Sequence, residues 1–527
     1  MKSASENNRQ NRLLFPCLLL CLCFGGNVPA LAGSIGLFVG DSDAYTCIHT
    51  LNLPNLPDAE IRVFTDKDMD REDFPLFVSR MDAAVVDIMQ HQPSQWLLEN
   101  RGRMKADVRL YAVRGSSHTQ DFLDAGFLMD RTIRAYYDYT SAENLAHMLR
   151  FIAYRDLGLD IFYAPPIVPP ENALYHPDAP GLFSTLSEYE KWYKSSGHYQ
   201  EGKRWDLMVI FPTSAIDGKK EAVDALIREY EKKGINTVAW MRDMKEWNRT
   251  LDQLISSPPL AGNLGSITGF AFKFSSMFTV DLLPVLQKAD VPVFNAQNLF
   301  FASGKEWLEN PQGISPVGLA LQFANPEISG LVEPTVIGVK EKVPDLAKNT
   351  GEEITAFRFI PVQAHTEMLA RRAARWHALK DKANKDKTVF LMYYNHGAGK
   401  QNIGASYLNV FRSITQMIAR LKAEGYRIEG EFSEETVKDL LLKSGRNIGS
   451  WAPDELDALL KAGNAAFVDM DEYKKWLAER PEDFRKRWQK DWGKGRRHKN
   501  HGQEREICHP LHPPGKSDSR TPAGAGF

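Results

Sequence analysis

The sequence predicts an α/β chain of several doubly wound parallel-sheet (Rossmann- or flavodoxin-like) units, on three observations. Short apolar runs bounded by glycine or aspartate recur and read as buried strands. Between them lie longer segments with apolar residues at helical spacing, and strand–helix alternation implies a parallel sheet with covering helices. The length, 527 residues, suits about three domains of roughly 150 residues each.

Residues 1–32 read as a secretory leader. Lys2, Arg9 and Arg12 precede an apolar stretch from Leu13 to Phe24, and Ala30-Leu31-Ala32 supplies small residues at the cleavage positions. The stretch is short for a bilayer span, so the reading is an exported, periplasmic chain cleaved after Ala32, with no transmembrane helix in the mature chain. If the start is misassigned, the chain is cytoplasmic. Cys17, Cys21 and Cys23 leave with the leader, and Cys47 and Cys508 give neither a disulfide framework nor zinc spacing.

The first domain, 33–165, opens with Ser34 to Gly40 as a strand and continues with Ile61–Phe64, Ala83–Val86 and Val108–Val113. Asp87, at the end of one strand, reads as a cap for the following helix rather than as a functional carboxylate. Leu145, Met148, Leu149 and Ile152 place a core-facing stripe on a helix over Ser141–Leu157. Residues 166–205 form a proline-rich connection, in which His176 reads as a turn residue before Pro177.

The second domain, 206–345, begins as a βαβ unit: strand Asp206–Phe211, amphipathic helix Lys219–Lys233, Gly234, and strand Ile235–Trp240. Ile267–Phe272 and Val291–Phe294 extend it, and Pro326–Gly330 with Val336–Gly338 close it. A third segment, 354–493, starts with a basic helix, His365–Leu379, carrying Leu369, Ala373 and Trp376 on its buried side. Its Arg371, Arg372 and Arg375 lie on a solvated face. Val389 to Tyr394 reads as a buried strand ending in Asn395-His396-Gly397-Ala398-Gly399, with a helical stripe of Ile414, Met417, Ile418 and Leu421 beyond it.

Chemistry is hard to assign from motifs alone. Gly397-Ala398-Gly399-Lys400 invites a phosphate-loop reading, but Tyr394 stands where the leading glycine belongs and Gln401 where the hydroxyl residue belongs. No dinucleotide, zinc-protease or serine-elbow pattern is present. A net charge of −2 gives no basic surplus for a nucleic-acid partner. His396 is the residue of this loop suited to ligate a metal, and the glycines let backbone approach a ligand edge.

The segment Tyr393-Tyr-Asn-His-Gly-Ala-Gly-Lys-Gln-Asn-Ile-Gly-Ala-Ser-Tyr-Leu-Asn-Val410 resembles an identifying string of the cobaltochelatase large-subunit (CobN type) and magnesium chelatase H subunit family. It departs at Gly397-Ala398, where the family carries a proline pair. Glu143-Asn144-Leu145, Tyr175 to Pro180, Val291 to Phe294, Pro326 to Gly330 and Gly445 to Trp451 follow in the family's order, and the likeness runs from about Ser34 to Gly493. It implies an N-terminal portion of a subunit that binds a tetrapyrrole and a divalent metal, cobalt or magnesium. ATP would enter through partner ATPase subunits, if the chain is cytoplasmic. His396, Lys400, Asn402, Arg446 and Asn447 become the candidate tetrapyrrole and metal contacts, with His396 the metal ligand. The alternative is an exported tetrapyrrole- or metal-binding, or haem-dechelating, protein of metal or haem uptake.

Residues 494–527 change composition and read either as a disordered basic tail or as the product of a reading-frame shift. Permitted codons for Arg505 to Phe527, moved by one nucleotide, give a string similar to the family's next segment. The expectation is a one-nucleotide shift between about Gly493 and Arg505, which resequencing checks.

Overall fold

The computed structural model describes residues 33–89, 92–170, 172–212, 219–241, 247–270, 282–343, 356–393, 403, 407–443, 468, 470–492, 497–500 and 503–506. The chain divides into two compact units near Lys380.

The first unit holds two sheets. Strands β1 (Ser34–Phe38), β2 (Glu60–Phe64), β3 (Ala83–Asp87) and β4 (Arg109–Val113) form an all-parallel sheet in the order β2-β1-β3-β4. Successive side chains of a strand point to opposite faces, so each strand feeds two cores. Ile35, Leu37, Val85 and Val113 pack against α1 (Asp41–Leu51), α5 (Arg131–Asp138) and α6 (Ala142–Asp156). Phe38, Phe64, Val86 and Ala112 pack on the other side against α2 (Asp73–Arg80), α3 (Gln92–Glu99) and α4 (Thr119–Asp124). The doubly wound expectation holds here strand by strand.

The proline-rich passage is tied down by α6. Asn144 donates from Nδ2 to the carbonyls of Tyr139 and Ile167 and accepts the Ile167 N–H, while His147 Nδ1 accepts the Ala164 N–H. Prolines leave such backbone without a ladder of its own, and two helix side chains replace it. Within 166–205 the structure also places a short strand, β5 (Ala173–Tyr175), and the helix α7 (Leu186–Ser195).

The second sheet continues with β6 (Trp205–Ile210), β7 (Asn236–Met241), β8 (Leu264–Gly269), β9 (Val293–Ser303), β10 (Val332–Val343) and β11 (Ala356–Pro361), in the order β11-β10-β9-β8-β6-β7-β5. The strands from β6 to β10 are parallel to one another, whereas the edge strands β5 and β11 run antiparallel. The helices α8 (Glu221–Lys232), α9 (Trp247–Ile255), α10 (Leu283–Ala289), α11 (Gly304–Glu309), α12 (Pro316–Leu319), α13 (Asn325–Ile328) and α14 (Gln363–Asp381) intervene or follow. One face of this sheet packs on α7, α9 and α10, the other on α8 and α14, so it too is doubly wound. Gly234, which ends α8, has φ +79°, a conformation glycine adopts without strain.

The stripe on α14 is rotated from expectation. Leu369, Ala370, Ala373 and His377 are buried, whereas Trp376 is 39 % exposed. The three arginines are exposed, as read, and Arg372 pairs with Glu333.

In the second unit, α15 (Val410–Ala423) and α16 (Glu434–Lys443) bury Val410, Ile414 and Val437 together with Ile403. Met417, placed by the sequence on the same stripe, is exposed. Two further helices, α17 (Met470–Ala478) and α18 (Glu482–Trp492), follow. In the tail, Arg497–Asn500 and Gln503–Glu506 pair as an antiparallel hairpin. The expected strand over Val389–Tyr394 is corrected for its described part: 389–393 carry no regular structure, and Phe390 and Met392 are largely exposed. A strand requires a neighbour to share its ladder, and no described strand pairs with this run.

Candidate functional site

His396, Lys400, Asn402, Arg446 and Asn447 all lie outside the described residues. The shoulders of their first loop are described. Tyr393 packs against the cluster that buries Ile403, Val410 and Ile414, so both ends of the segment rest on one small core. Asn409 caps α15 by accepting the Arg412 N–H at 3.0 Å, and its Nδ2 donates to Glu434 at 2.8 Å.

The first sheet offers the usual ligand position of a doubly wound fold. Its order reverses between β1 and β3, and ligands of such folds bind outside the carboxyl ends of the strands at that switch point. Here the position is filled by side chains. Asp43 on the first turn of α1 and Asp87 at the end of β3 both receive Arg114, at 2.9 and 2.6 Å. Lys219, just ahead of α8, reaches Asp43 at 2.5 Å. Lys340 on β10 and Lys67 stand 3.6 and 3.9 Å from Asp41, and both cations lie over the Phe357 ring of β11. The Asp43 and Asp87 side chains are essentially buried. Burial alone would raise the Asp43 pKa, but Lys219 and Arg114 outweigh it and bring it down to about 2. Arg114 has φ +61°, an uncommon conformation for a side-chain-bearing residue.

Among the described residues, Asp87 serves a local turn and an ion pair. One carboxylate oxygen accepts the Met89 N–H in a local turn, and the other takes Arg114. The free thiol of Cys47 is buried in this same core, and burial pushes its pKa upward, away from reactivity. Chemically, the crevice is a charge-neutralised lock that joins the first sheet to residues beyond it in the same compact unit.

A second polar cluster lies within the second sheet and its covering helices. Ser266 and Thr268 on β8 both donate to Asp206 Oδ2 on β6, at 2.5 and 2.9 Å, and Tyr230 bonds Thr268 at 3.0 Å. Ser266 also meets His377 Nε2 at 2.8 Å. A nucleophilic triad places histidine between serine and carboxylate, whereas here serine stands in the middle and every member is buried. Burial raises the Asp206 pKa to about 7, even though Ser266 and Thr268 donate to it. The fit is tight. A Cβ on Gly265 would sit 2.6 Å from the His377 ring, so Gly265→Ala is expected to displace that ring and cost about 1–3 kcal/mol in a urea denaturation series.

A third group surrounds Glu231 near the end of α8. Glu231 accepts from Tyr193 at 2.7 Å, and the ring nitrogens His176 Nε2 and His198 Nδ1 lie 3.0 and 3.2 Å from it. Burial would raise its pKa, but the bonds from His176 and Tyr193 prevail and lower it. His176 Nδ1 accepts the Asp178 N–H at 3.1 Å, which makes His176 the organiser of its turn, as the sequence suggested. Among the described residues, His176, Asp178 and His198 have ligand atoms within 4.8 Å of one another.

Lys219, Arg114, Asp206, His377, His198 and Glu231 escaped sequence reasoning because none sits in a recognisable motif. Their roles arise from partners far along the chain, as with Lys219 and Asp43, which are 176 positions apart.

Comparison with known proteins places residues 134–511 under the CobN/Magnesium Chelatase family model. The chain is 29% identical over 306 residues to the chloroplastic magnesium-chelatase subunit ChlH of Oryza sativa subsp. indica, covering 55% of this chain and 21% of that protein. It is 24% identical over 372 residues to the aerobic cobaltochelatase subunit CobN of Pseudomonas aeruginosa, covering 67% and 27% respectively. In fold it is similar to the catalytic subunit of cobaltochelatase from Mycobacterium tuberculosis, with a TM-score of 0.56, 17% identity, and coverage of 88% of this chain and 36% of that one. The matched part thus spans between a fifth and about a third of the length of these relatives. No helix among the described residues is long and apolar enough to cross a membrane.

Proposed function

From the premise that this chain belongs to the CobN/magnesium chelatase family, we propose that it handles a tetrapyrrole and a divalent metal as part of a chelatase large subunit. In this reading it helps insert cobalt or magnesium into a corrin or porphyrin ring, and the ATP-driven work falls to separate partner subunits. The observation that carries it is the family match across 134–511, which includes both glycine-punctuated loops. His396 is the metal ligand of the proposal, with Lys400, Asn402, Arg446 and Asn447 as contacts to the macrocycle. An imidazole suits cobalt and other borderline divalent ions.

The test is absorbance titration of the full chain with a corrin and with a porphyrin, followed by addition of metal and ATP. Saturable spectral shifts with at least one macrocycle are expected, and failure to bind any tetrapyrrole overturns the proposal. His396→Ala is expected to weaken metal retention in the ternary complex by about tenfold or more, with the macrocycle still bound.

One observation favours a second reading. The basic, apolar and small-residue regions of 1–32 follow the order of a secretory leader. An exported member would bind a tetrapyrrole or metal for uptake, or remove metal from haem, without ATP-driven partners. Tetrapyrrole binding with no metal exchange in the same assay favours this second role.

A further inference from the structure

We propose that Asp178 and His198 form a docking site for a hydrated borderline divalent cation, of the Co2+ or Zn2+ class, on the rim of the second α/β domain. The proposal rests on the metal-handling reading only for the identity of the cargo; the geometry stands by itself.

The distance that points to it is between His198 Nε2 and Asp178 Oδ2, 3.6 Å. That is too long for a hydrogen bond. Two ligand atoms that each lie about 2.0–2.1 Å from a shared ion at a tetrahedral angle are separated by roughly 3.4 Å. The gap therefore has the width of a bridging ion.

The surroundings set the chemistry of that gap. With Nδ1 of His198 donating to Glu231, at 3.2 Å, the Nε2 lone pair is left facing Asp178. A carboxylate behind a histidine fixes the ring's tautomer and raises its basicity toward a metal. Glu231 is itself held by Tyr193 and His176, and the His198 ring stacks on Tyr193 at 5.6 Å with 20° between planes. His176 belongs to the support rather than to the ligand set. Its Nδ1 accepts the Asp178 N–H, so its neutral ring carries the proton on Nε2, where Glu231 receives it.

The site is open enough to exchange its ion. The Asp178 side chain is 40% exposed and that of His198 22%, which leaves the remaining coordination positions to water. Asp178 gives its other oxygen to Arg228 at 2.5 Å. That guanidinium competes with an ion for the carboxylate and restrains affinity. Two protein ligands and a competing arginine suit transit of an ion rather than its storage.

Isothermal titration of the tag-free full chain with CoCl2, without tetrapyrrole, tests the proposal. Wild type is expected to bind, with His198→Ala and Asp178→Asn each weakening that binding about tenfold or more and Arg228→Gln strengthening it several-fold. Melting curves confirm that each variant is folded; both side chains are partly exposed, and either variant alone suffices. Wild-type isotherms in both ligand variants, or no Co2+ binding by wild type, overturn the site. Because no macrocycle is present, that failure is distinct from failure of the tetrapyrrole reading.

Discussion

Arg114→Met is expected to destabilise the chain by about 3–5 kcal/mol, because it strips the shared cation from two buried carboxylates. Asp87 loses the Arg114 ion pair, and Asp43 loses one of its two described cations, Lys219 remaining. Methionine approximates the volume of the arginine stem, so packing changes contribute little beside the charge. Urea denaturation of the full chain reads the loss, and Lys288→Met is the control. Lys288 pairs with Asp252 in an exposed geometry, where removal is worth about 0–1 kcal/mol. If the two variants lose equal stability, the crevice is not the lock described here. Adding Asp87→Asn to Arg114→Met is expected to recover part of the loss, since it removes one of the two buried charges that Arg114 offsets.

The same network predicts an acid limb. Asp43 has a native pKa of about 2, below its ordinary 3.8, so the folded state releases its proton more readily than the unfolded state. Its stabilisation is therefore present above pH about 4 and is lost as the pH falls toward 2, on the order of 2 kcal/mol in all. In Arg114→Met that limb is expected to shrink, because one of the two cations that depress the pKa is gone.

These residues also show where the sequence was legible and where it was not. The strands β1 to β4 and the β6-α8-β7 unit were readable because each apolar run is punctuated by glycine or a charged turn, and because β1, β3, β6 and β7 are buried on both faces. The edge strand β5 was hidden among prolines; it is three residues long and antiparallel, and sheet edges tolerate nearby proline. On α14 the periodicity was right but the face was displaced. His377 turns inward to reach Ser266, which leaves Trp376 outside, and a side-chain bond across 111 positions leaves no local trace. The run 389–393 has a strand's composition without a described partner, and composition alone does not supply a ladder. Asp87 shows the same limit for function. Its local setting suggested a cap and gave no sign of the Arg114 ion pair, whose other member lies 27 positions away. The family-bearing loop was the converse case, legible as a string although its five candidate contacts lie outside the described residues.

Asp206 provides the second large expectation, with the opposite sign to Asp43. Its native pKa is raised to about 7 from 3.8 by burial, which Ser266 and Thr268 only partly offset. Between those values the folded state holds a proton that the unfolded state has released. The contribution to stability is thus fully present below pH about 4 and declines as the pH rises to 7, by up to about 4 kcal/mol. Asp206→Asn tests this without disturbing the shape. Both hydroxyls donate to Oδ2, while Oδ1 is buried with no hydrogen-bond partner, so an asparagine carbonyl fits the first place and its amide occupies the second. Asparagine then mimics the protonated carboxyl. The variant is expected to match wild type near pH 4 and to exceed it increasingly toward pH 8 in urea midpoints. Every other titrating group is common to both proteins, so the difference between the two curves reports Asp206 alone. Parallel curves would mean that the carboxylate remains ionised in the folded chain, and the Ser266 and Thr268 donors, with His377 behind Ser266, would then be the groups that stabilise it.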